Sequence, residues 1–280
     1  MFASLDIGKT NTRIASSKDL KNIMKFETFP TSQSLEEEKK LVKEALYKVT
    51  DGEQVKGLSI GMSGICDRVN KTFYKCDIFP ELNNLPFQAF LQNCIDEKTQ
   101  VLVENDALLA AFGEAVRGAG KEFDVMAYLT LSTGVGGARI AFKEIDYSYY
   151  FSEPGHQIIE QDGREDPFCG QKGCLQSYVS GTSFENIYKI KPEDCKDDSI
   201  WDSYSKHLTS GLINIISMWS PEVIVLGGGL SNKFDFIYPG LLENLEKQNL
   251  FPIPEIRKAA LGDQSGLHGG FALISKLIEV

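Results

Sequence analysis

The sequence predicts an α/β protein made of two similar halves with a cleft between them. Up to about residue 117, apolar runs and helical stripes follow the order three strands, helix, strand, helix, strand, helix. After the break at Gly118-Ala119-Gly120 the same grammar restarts with a hairpin. The implied domains are residues 1–117 and 118–270, with a closing helix near 270–280 expected to pack back on the first. Ligands of proteins built this way lodge between the halves.

Residues 2–8 read as a strand with Leu5 and Ile7 on one face and Ser4 and Asp6 on the other. A Gly-Lys-Thr-Asn turn leads to a return strand at 12–15, and 24–29 supplies a third. Ser34-Leu35-Glu36-Glu37 has capping-box spacing, and Leu41, Val42, Ala45, Leu46 and Val49 continue as a helical stripe. Residues 58–62 are a strand, 87–95 a helix and 101–103 a short apolar strand. From Ala107, the residues Leu108, Ala111, Phe112 and Ala115 return on one helical face. In the second half 125–132 is a strand, Gly136-Gly137 a turn and 138–142 the returning strand. Helical periodicity covers 175–188 and 200–219, while 223–226 is a fully apolar strand. Residues 241–245 and 271–278 are helical, and the acidic run 192–199 is a solvated loop.

Composition removes several function classes. The chain has 280 residues, 42% hydrophobic and 24% charged, enough for two modest cores. A net charge of −10 opposes non-specific binding to nucleic acid, which needs clustered Lys and Arg. No apolar run is long enough to span a membrane, and 2–7 opens directly as a strand with no leader, so a cytoplasmic protein is expected. Six scattered cysteines form no disulfide framework. Only CGQKGC, with Cys169 and Cys174, sets two close together.

Three glycine loops stand directly after strands. In Asp6-Ile7-Gly8-Lys9-Thr10, Gly8 permits close approach, Thr10 offers a hydroxyl and N–H to a phosphate, and Asp6 is placed to orient hydrated Mg²⁺. A plain hairpin turn is the competing reading. Ser132-Thr133-Gly134-Val135-Gly136-Gly137 is free of bulky side chains and suits an anion-binding nest. Gly227-Gly228-Gly229 lets something flat, such as adenine and its ribose, lie on the backbone. The Walker P-loop signature is absent. Between these loops, Glu104, Asn105 and Asp106 fall where a buried strand gives way to a helix. Asp106 there either caps the helix or faces a ligand and accepts its proton.

DIGKT, ENDA, STGVGG, EPGH, CGQKGC and VIVLGGG occur in the order and spacing of one family. From Leu5 to about Gly270 the chain resembles the ROK family of bacterial sugar kinases, repressors and open reading frames, within the actin-like and hexokinase-like ATPase superfamily. The resemblance implies two ribonuclease-H-like domains closing on ATP and a sugar. It makes Asp106 the base facing the sugar hydroxyl, with Asn105, Glu153, His156, Gly64 and Gln176 around the sugar. Asp6, Gly8, Lys9, Thr10, Thr133, Gly134 and Gly136 become the phosphate loops, and Gly227, Gly228 and Gly229 the adenosine site. ATP and Mg²⁺ are the implied cofactors. Dimers are common in the family, so the resemblance also implies a homodimer.

Departures from the pattern bear on specificity and metal. The family's zinc motif has a further Cys where this chain has Pro167, leaving His156, Cys169 and Cys174, with Asp166, Glu165 or water to complete a tetrahedral Zn²⁺. The alternative is a metal-free loop with two reduced thiols. Gln176 replaces a sugar-contacting Glu, and Lys9 replaces a small residue. Only five residues precede Asp6, which disfavours a repressor's helix-turn-helix module. The sequence therefore predicts an ATP-dependent, glucokinase-like hexose kinase. An N-acetylmannosamine, N-acetylglucosamine or fructose kinase, and a non-catalytic sugar sensor, are the alternatives.

Overall fold

The computed structural model of the chain describes residues 1–91, 94–96, 98–148, 152–248 and 252–278. They form two compact units. The first runs from Met1 to Arg117 and regains the chain from Gln264 onward, together with a short stretch starting at Tyr147. The second holds Gly118–Asp146 and Ser152–Asp263.

In the first unit β1 (Phe2–Ile7), β2 (Asn11–Ser17), β3 (Lys25–Pro30), β4 (Gly57–Met62) and β7 (Gln100–Asn105) form one sheet in the order β3-β2-β1-β4-β7. β1 to β3 are antiparallel, while β4 and β7 run parallel to β1. Alternation sorts β1 as expected. Ala3, Leu5 and Ile7 enter a core with Val42, Leu46 and Val49 of α1 (Leu35–Thr50), which Ser34 caps by accepting the Glu37 N–H. Ser4 and Asp6 face the other way, toward Gly270 and Gly266 of α8 (Ser265–Ile278).

Two parts of this unit differ from the expected pattern. A hairpin of β5 (Gly64–Asp67) and β6 (Thr72–Cys76) lies where no element was expected. Its strands are too short for periodicity to register, and its turn is closed by Asp67 accepting the Asn70 N–H, with Lys71 at φ +54°. The helix expected at 87–95 is α2 (Gln88–Leu91), four residues long, and part of that expectation lies outside the described residues.

The second unit repeats the topology. β8 (Val125–Leu131), β9 (Val135–Ala141), β10 (Glu144–Ile145), β11 (Val223–Gly227) and β12 (Glu255–Lys258) lie in the order β10-β9-β8-β11-β12. β8 to β10 are antiparallel, and β11 and β12 are parallel to β8. The expected turn at Gly136-Gly137 is not one. Both glycines lie inside β9, registered with Thr130 and Leu129, and the turn is 132–134. The expected helix over 175–188 is two, α4 (Gln176–Val179) and α5 (Gly181–Tyr188). Ser180 breaks the run because its extended backbone lets its Oγ accept the Ser183 N–H as an N-cap. α6 (Asp198–Trp219) starts earlier than 200 because Asp197 caps it. α7 (Phe234–Glu246) extends the 241–245 stripe backward by seven residues through Pro239. Cys195 is fully buried, so the 192–199 segment is only partly solvated.

Small residues set the helix spacing in the first unit. In β4, Gly57, Ser59 and Gly61 line the face toward α8 and α3 (Asp106–Arg117), while Leu58, Ile60 and Met62 fill the opposite core. Where α3 meets α8, a Cβ on Gly113 would land on the Ser265 carbonyl, and one on Gly269 on that of Leu109. Backbone cannot yield as a flexible side chain can, so these helices are locked at glycine distance. Gly269→Ala is expected to cost the first unit about 2–3 kcal/mol, read as an earlier urea transition. Unfolding at the wild-type midpoint would show that the helices have room to part.

Candidate functional site

Each unit carries its own set of candidate residues. In the first, the 8–10 turn joins β1 to β2 and is held from behind: Gly8 N–H donates to Asn11 O, Thr31 N–H to Thr10 O and Thr31 Oγ to Gly8 O. Below it, the fully buried Glu38 accepts from Thr12 Oγ and from the Ser32 N–H. Lys9 and Thr10 are exposed. Asp6, at the end of β1, sits 3.7 Å from Arg13, its register partner on β2.

The strand-to-helix junction divides its work among three residues. Glu104, 5% exposed, takes Arg68 Nε on both carboxylate oxygens at 2.8 and 3.0 Å. Burial raises the Glu104 carboxyl above its ordinary value even though Arg68 pulls the other way. Asn105 is the helix cap, accepting the Leu108 N–H on Oδ1 at 3.1 Å and donating Nδ2 to Gly64 O at 3.0 Å. Asp106 begins α3. Its Oδ1 accepts the Ala107 N–H at 2.8 Å, and no other residue among those described donates to the carboxyl. It retains partial exposure, yet burial pushes it up to about 6, against the pull of the Ala107 N–H. Gly61 lies beside both acids: a Cβ there would press on Leu109 Cδ1 at 3.3 Å and stand at ordinary contact distance from Asp106 Cα and Asp6 Oδ1, 3.4 and 3.5 Å.

In the second unit the 132–134 turn is closed by Ser132 N–H to Gly134 O and anchored by Gly181 N–H to Ser132 O. Gly137 and Gly155 bring the EPGH segment onto β9, since a Cβ on Gly137 would meet Pro154 Cγ at 2.9 Å and one on Gly155 would strike the Val135 carbonyl. Pro154 and Gly155 are consequently buried, while Glu153 is exposed and His156 half-buried. The three glycines that end and follow β11 serve three ends. Gly227 clears the Tyr128 hydroxyl, Gly228 adopts φ +79° against Leu131, and Gly229 has nothing within 4 Å of a Cβ position, leaving open backbone.

The model of the ROK family matches residues 2–277. The chain belongs to the ROK family. It is 26% identical to a glucokinase of Thermotoga maritima, over 85% of this chain and 84% of that one. It is 28% identical to an N-acetyl-D-glucosamine kinase of Salmonella paratyphi C, over 96% and 97%. A ROK family glucokinase from Streptomyces griseus, solved in complex with glucose and AMPPNP, superposes with a TM-score of 0.83 at 23% identity, covering 97% of this chain and 98% of that one. The fold is the actin-like ATPase fold of ROK sugar kinases.

Within this ROK chain the donors His156, Cys169 and Cys174 converge, with one ligand atom from each lying within 4.8 Å of the others. Cys169 Sγ is 3.6 Å from His156 Nδ1. Asp166 does not join them. Its Oδ1 accepts the Phe168 and Cys169 N–H groups at 2.9 Å each, and its Oδ2 accepts Gln176 Nε2. Burial would raise this carboxyl, but those donors outweigh it and hold it below its ordinary value. Gln176 is likewise turned inward, with Oε1 on the Val135 N–H at 2.9 Å.

Arg68, Arg13 and Gly61 escaped the sequence reading. Arg13 was recoverable, because the four-residue Gly-Lys-Thr-Asn turn with Ile7 opposite Thr12 sets it opposite Asp6. So was Gly61, from the small-large alternation of β4. Arg68 reaches Glu104 across 36 residues and leaves no local signal.

The shift on Asp106 makes stability depend on pH. The folded value of about 6 exceeds the ordinary aspartate value of 3.8, so the folded chain holds the proton more tightly and loses stability as pH rises from about 4 through about 6. Asp106→Asn removes that loss. In urea it is expected to exceed the wild type by about 1–3 kcal/mol near pH 7.5 and to match it near pH 4. Parallel pH curves for the two proteins would place the carboxyl in water.

Proposed function

We propose that this chain transfers the γ-phosphoryl group of ATP to the primary hydroxyl of a hexose, glucose or a close relative. Asp106 carries the reading. Its helix-capping duty is discharged by Asn105, so its carboxyl is left with one intrahelical N–H from another residue and a raised proton affinity. Phosphoryl transfer passes through a loose transition state and needs positioning more than a strong base. Asp106 orients the hydroxyl and takes its proton as the bond to phosphorus forms.

The remaining roles follow from donor chemistry. Backbone N–H groups of the 8–10 and 132–134 turns that are not already bonded within the chain would receive phosphate oxygens, and the open backbone at Gly229 would receive the adenosine. Asp6 would hold a hydrated Mg²⁺, which supplies neutralisation of the phosphate charge. The remaining amide hydrogen of Asn105, with Glu153, His156 and the Gly64 backbone, binds other hydroxyls. These groups suit an uncharged polyol. Relatives named glucokinase and N-acetyl-D-glucosamine kinase support a sugar acceptor, and the second of these favours an N-acetylhexosamine as the other candidate.

The His156, Cys169 and Cys174 donors suit Zn²⁺, a set of one nitrogen and two sulfurs. Water would be the fourth ligand, since both Asp166 oxygens are committed elsewhere. Such an ion would stiffen the 156–174 loop. Elemental analysis of purified protein is expected to give about one zinc per chain, lost in Cys169→Ser with Cys174→Ser. Metal-free wild type would make these residues ordinary thiols.

The decisive assay is ADP release from ATP with a panel of hexoses and N-acetylhexosamines. Sugar-dependent release is expected, with Asp106→Asn slower by ~10²-fold or more while both ligands still bind. The rate is expected to fall below about pH 6 as Asp106 protonates. Release without any sugar would mark an ATPase, and sugar binding without release a sensor.

A further inference from the structure

We infer that Gln176 is a positioning residue for the 132–134 turn and the start of β9, and not a contact to the sugar. This rests on the reading of that loop as the receiver of ATP phosphates. Gln176 opens α4 and is 7% exposed. Its Oε1 accepts from the backbone N–H of Val135, and its Nε2 donates to Asp166 Oδ2 at 3.1 Å. The two bonds have opposite polarity, so this side chain must accept at one end and donate at the other. An amide does both; a carboxylate at 176 would set a negative oxygen against ionised Asp166.

The bonds also join two loops. Asp166 Oδ1 holds the Phe168 and Cys169 N–H groups, so a continuous chain of hydrogen bonds runs from the Cys169 turn through Asp166 and Gln176 to Val135. Val135 is the first residue of β9, next to the turn that Ser132 and Gly134 close. A Cβ on Gly134 would come within 2.8 Å of Gln176 Oε1, so the turn rests directly on the amide. Gln176 thereby draws the Val135 N–H inward and fixes the path of the loop whose other N–H groups meet the nucleotide. What remains of its hydrogen-bonding capacity is nearly sealed from a sugar hydroxyl.

The test is AMPPNP binding to the whole chain by titration calorimetry without sugar, beside the KM values for ATP and glucose. Wild type comes first: absence of AMPPNP binding there removes the phosphate-loop reading, and this inference with it, before any variant is made. With wild-type binding in hand, Gln176→Glu is expected to weaken AMPPNP about tenfold, the scale of one buried hydrogen bond, with the sugar KM within about twofold. Gln176→Met, which loses both bonds without adding charge, weakens it less. Exchanging the partners, Gln176→Glu with Asp166→Asn, restores donor and acceptor while Asn keeps an oxygen for the Phe168 and Cys169 N–H groups. It is expected to recover affinity to within about threefold of wild type. Three results overturn the inference: unchanged AMPPNP affinity in Gln176→Glu, a loss confined to the sugar KM, or a double variant no better than the single. Should Gln176→Glu fail to fold, recovery of folded, nucleotide-binding protein in the double variant supports the inference, and its failure overturns it.

Discussion

The end of β7 is the constraint on which the first unit's chemistry depends. Three polar residues in a row must leave a buried strand and start a helix, and only two of them can be absorbed by the protein. Glu104 is absorbed by Arg68, whose guanidinium also stacks on Tyr147 at 4.7 Å. A buried carboxylate stripped of such a partner costs about 3–5 kcal/mol, so the pair holds the β5–β6 hairpin to the sheet. Asn105 is absorbed twice, by the first turn of α3 and by Gly64 of the same hairpin. The hairpin and the helix are thus pinned to adjacent residues, and the third, Asp106, is fixed in place without being consumed.

Glycine does the complementary work. Gly113 of α3 and Gly269 of α8 stand where two helices meet at backbone distance, while Gly57 of β4 and Gly266 and Gly270 of α8 leave room for the side chains of Ile274, Asp6 and Ser4. Gly266 lies against Asp6, where a Cβ would come within 3.2 Å of the carboxyl carbon, so the packing of α8 reaches the start of the first loop. In the second unit Gly137 and Gly155 bring EPGH onto β9 by the same device. Small residues set these distances, and polar residues act at them.

Much of this was legible in the sequence because it is local. The β1–β2 hairpin, the Ser34 cap, the restart after Gly120 and the split of Leu5 and Ile7 from Asp6 follow from periods and turn residues within a few positions. The closing helix was recognised but started six residues late, since Ser265, Gly266, Gly269 and Gly270 carry no apolar stripe and are helical because they fit against α3 and the sheet. The 136–137 glycine pair misled for the same reason: a Cβ on Gly137 would strike the Tyr128 carbonyl on β8 and Pro154 Cγ, contacts distant in sequence and not those of a local turn. The β5–β6 hairpin, the Arg68 pair and the inward turn of Gln176 are tertiary throughout. For the candidate site, the loops and Asp106 could be named from the chain, while the commitments of Asp166 and Gln176 could not.

An acidic residue at a helix start ordinarily spends its charge on the helix, but Asp106 takes a single N–H from another residue there and burial pushes it up to about 6. A full N-cap would pull the carboxyl well down, as Asp19 is pulled down by the N–H groups of Asn22 and Lys21. Asp106 receives only the Ala107 N–H beyond its own, and desolvation outweighs both. At neutral pH such a carboxylate is still mostly ionised, yet it is closer to the ambient pH than an ordinary Asp, which is where a group that must both hold and accept a proton works best. The desolvation that makes it costly to the folded chain is also what a donated hydroxyl would relieve. Stability lost at this position and proton affinity gained there are one physical quantity.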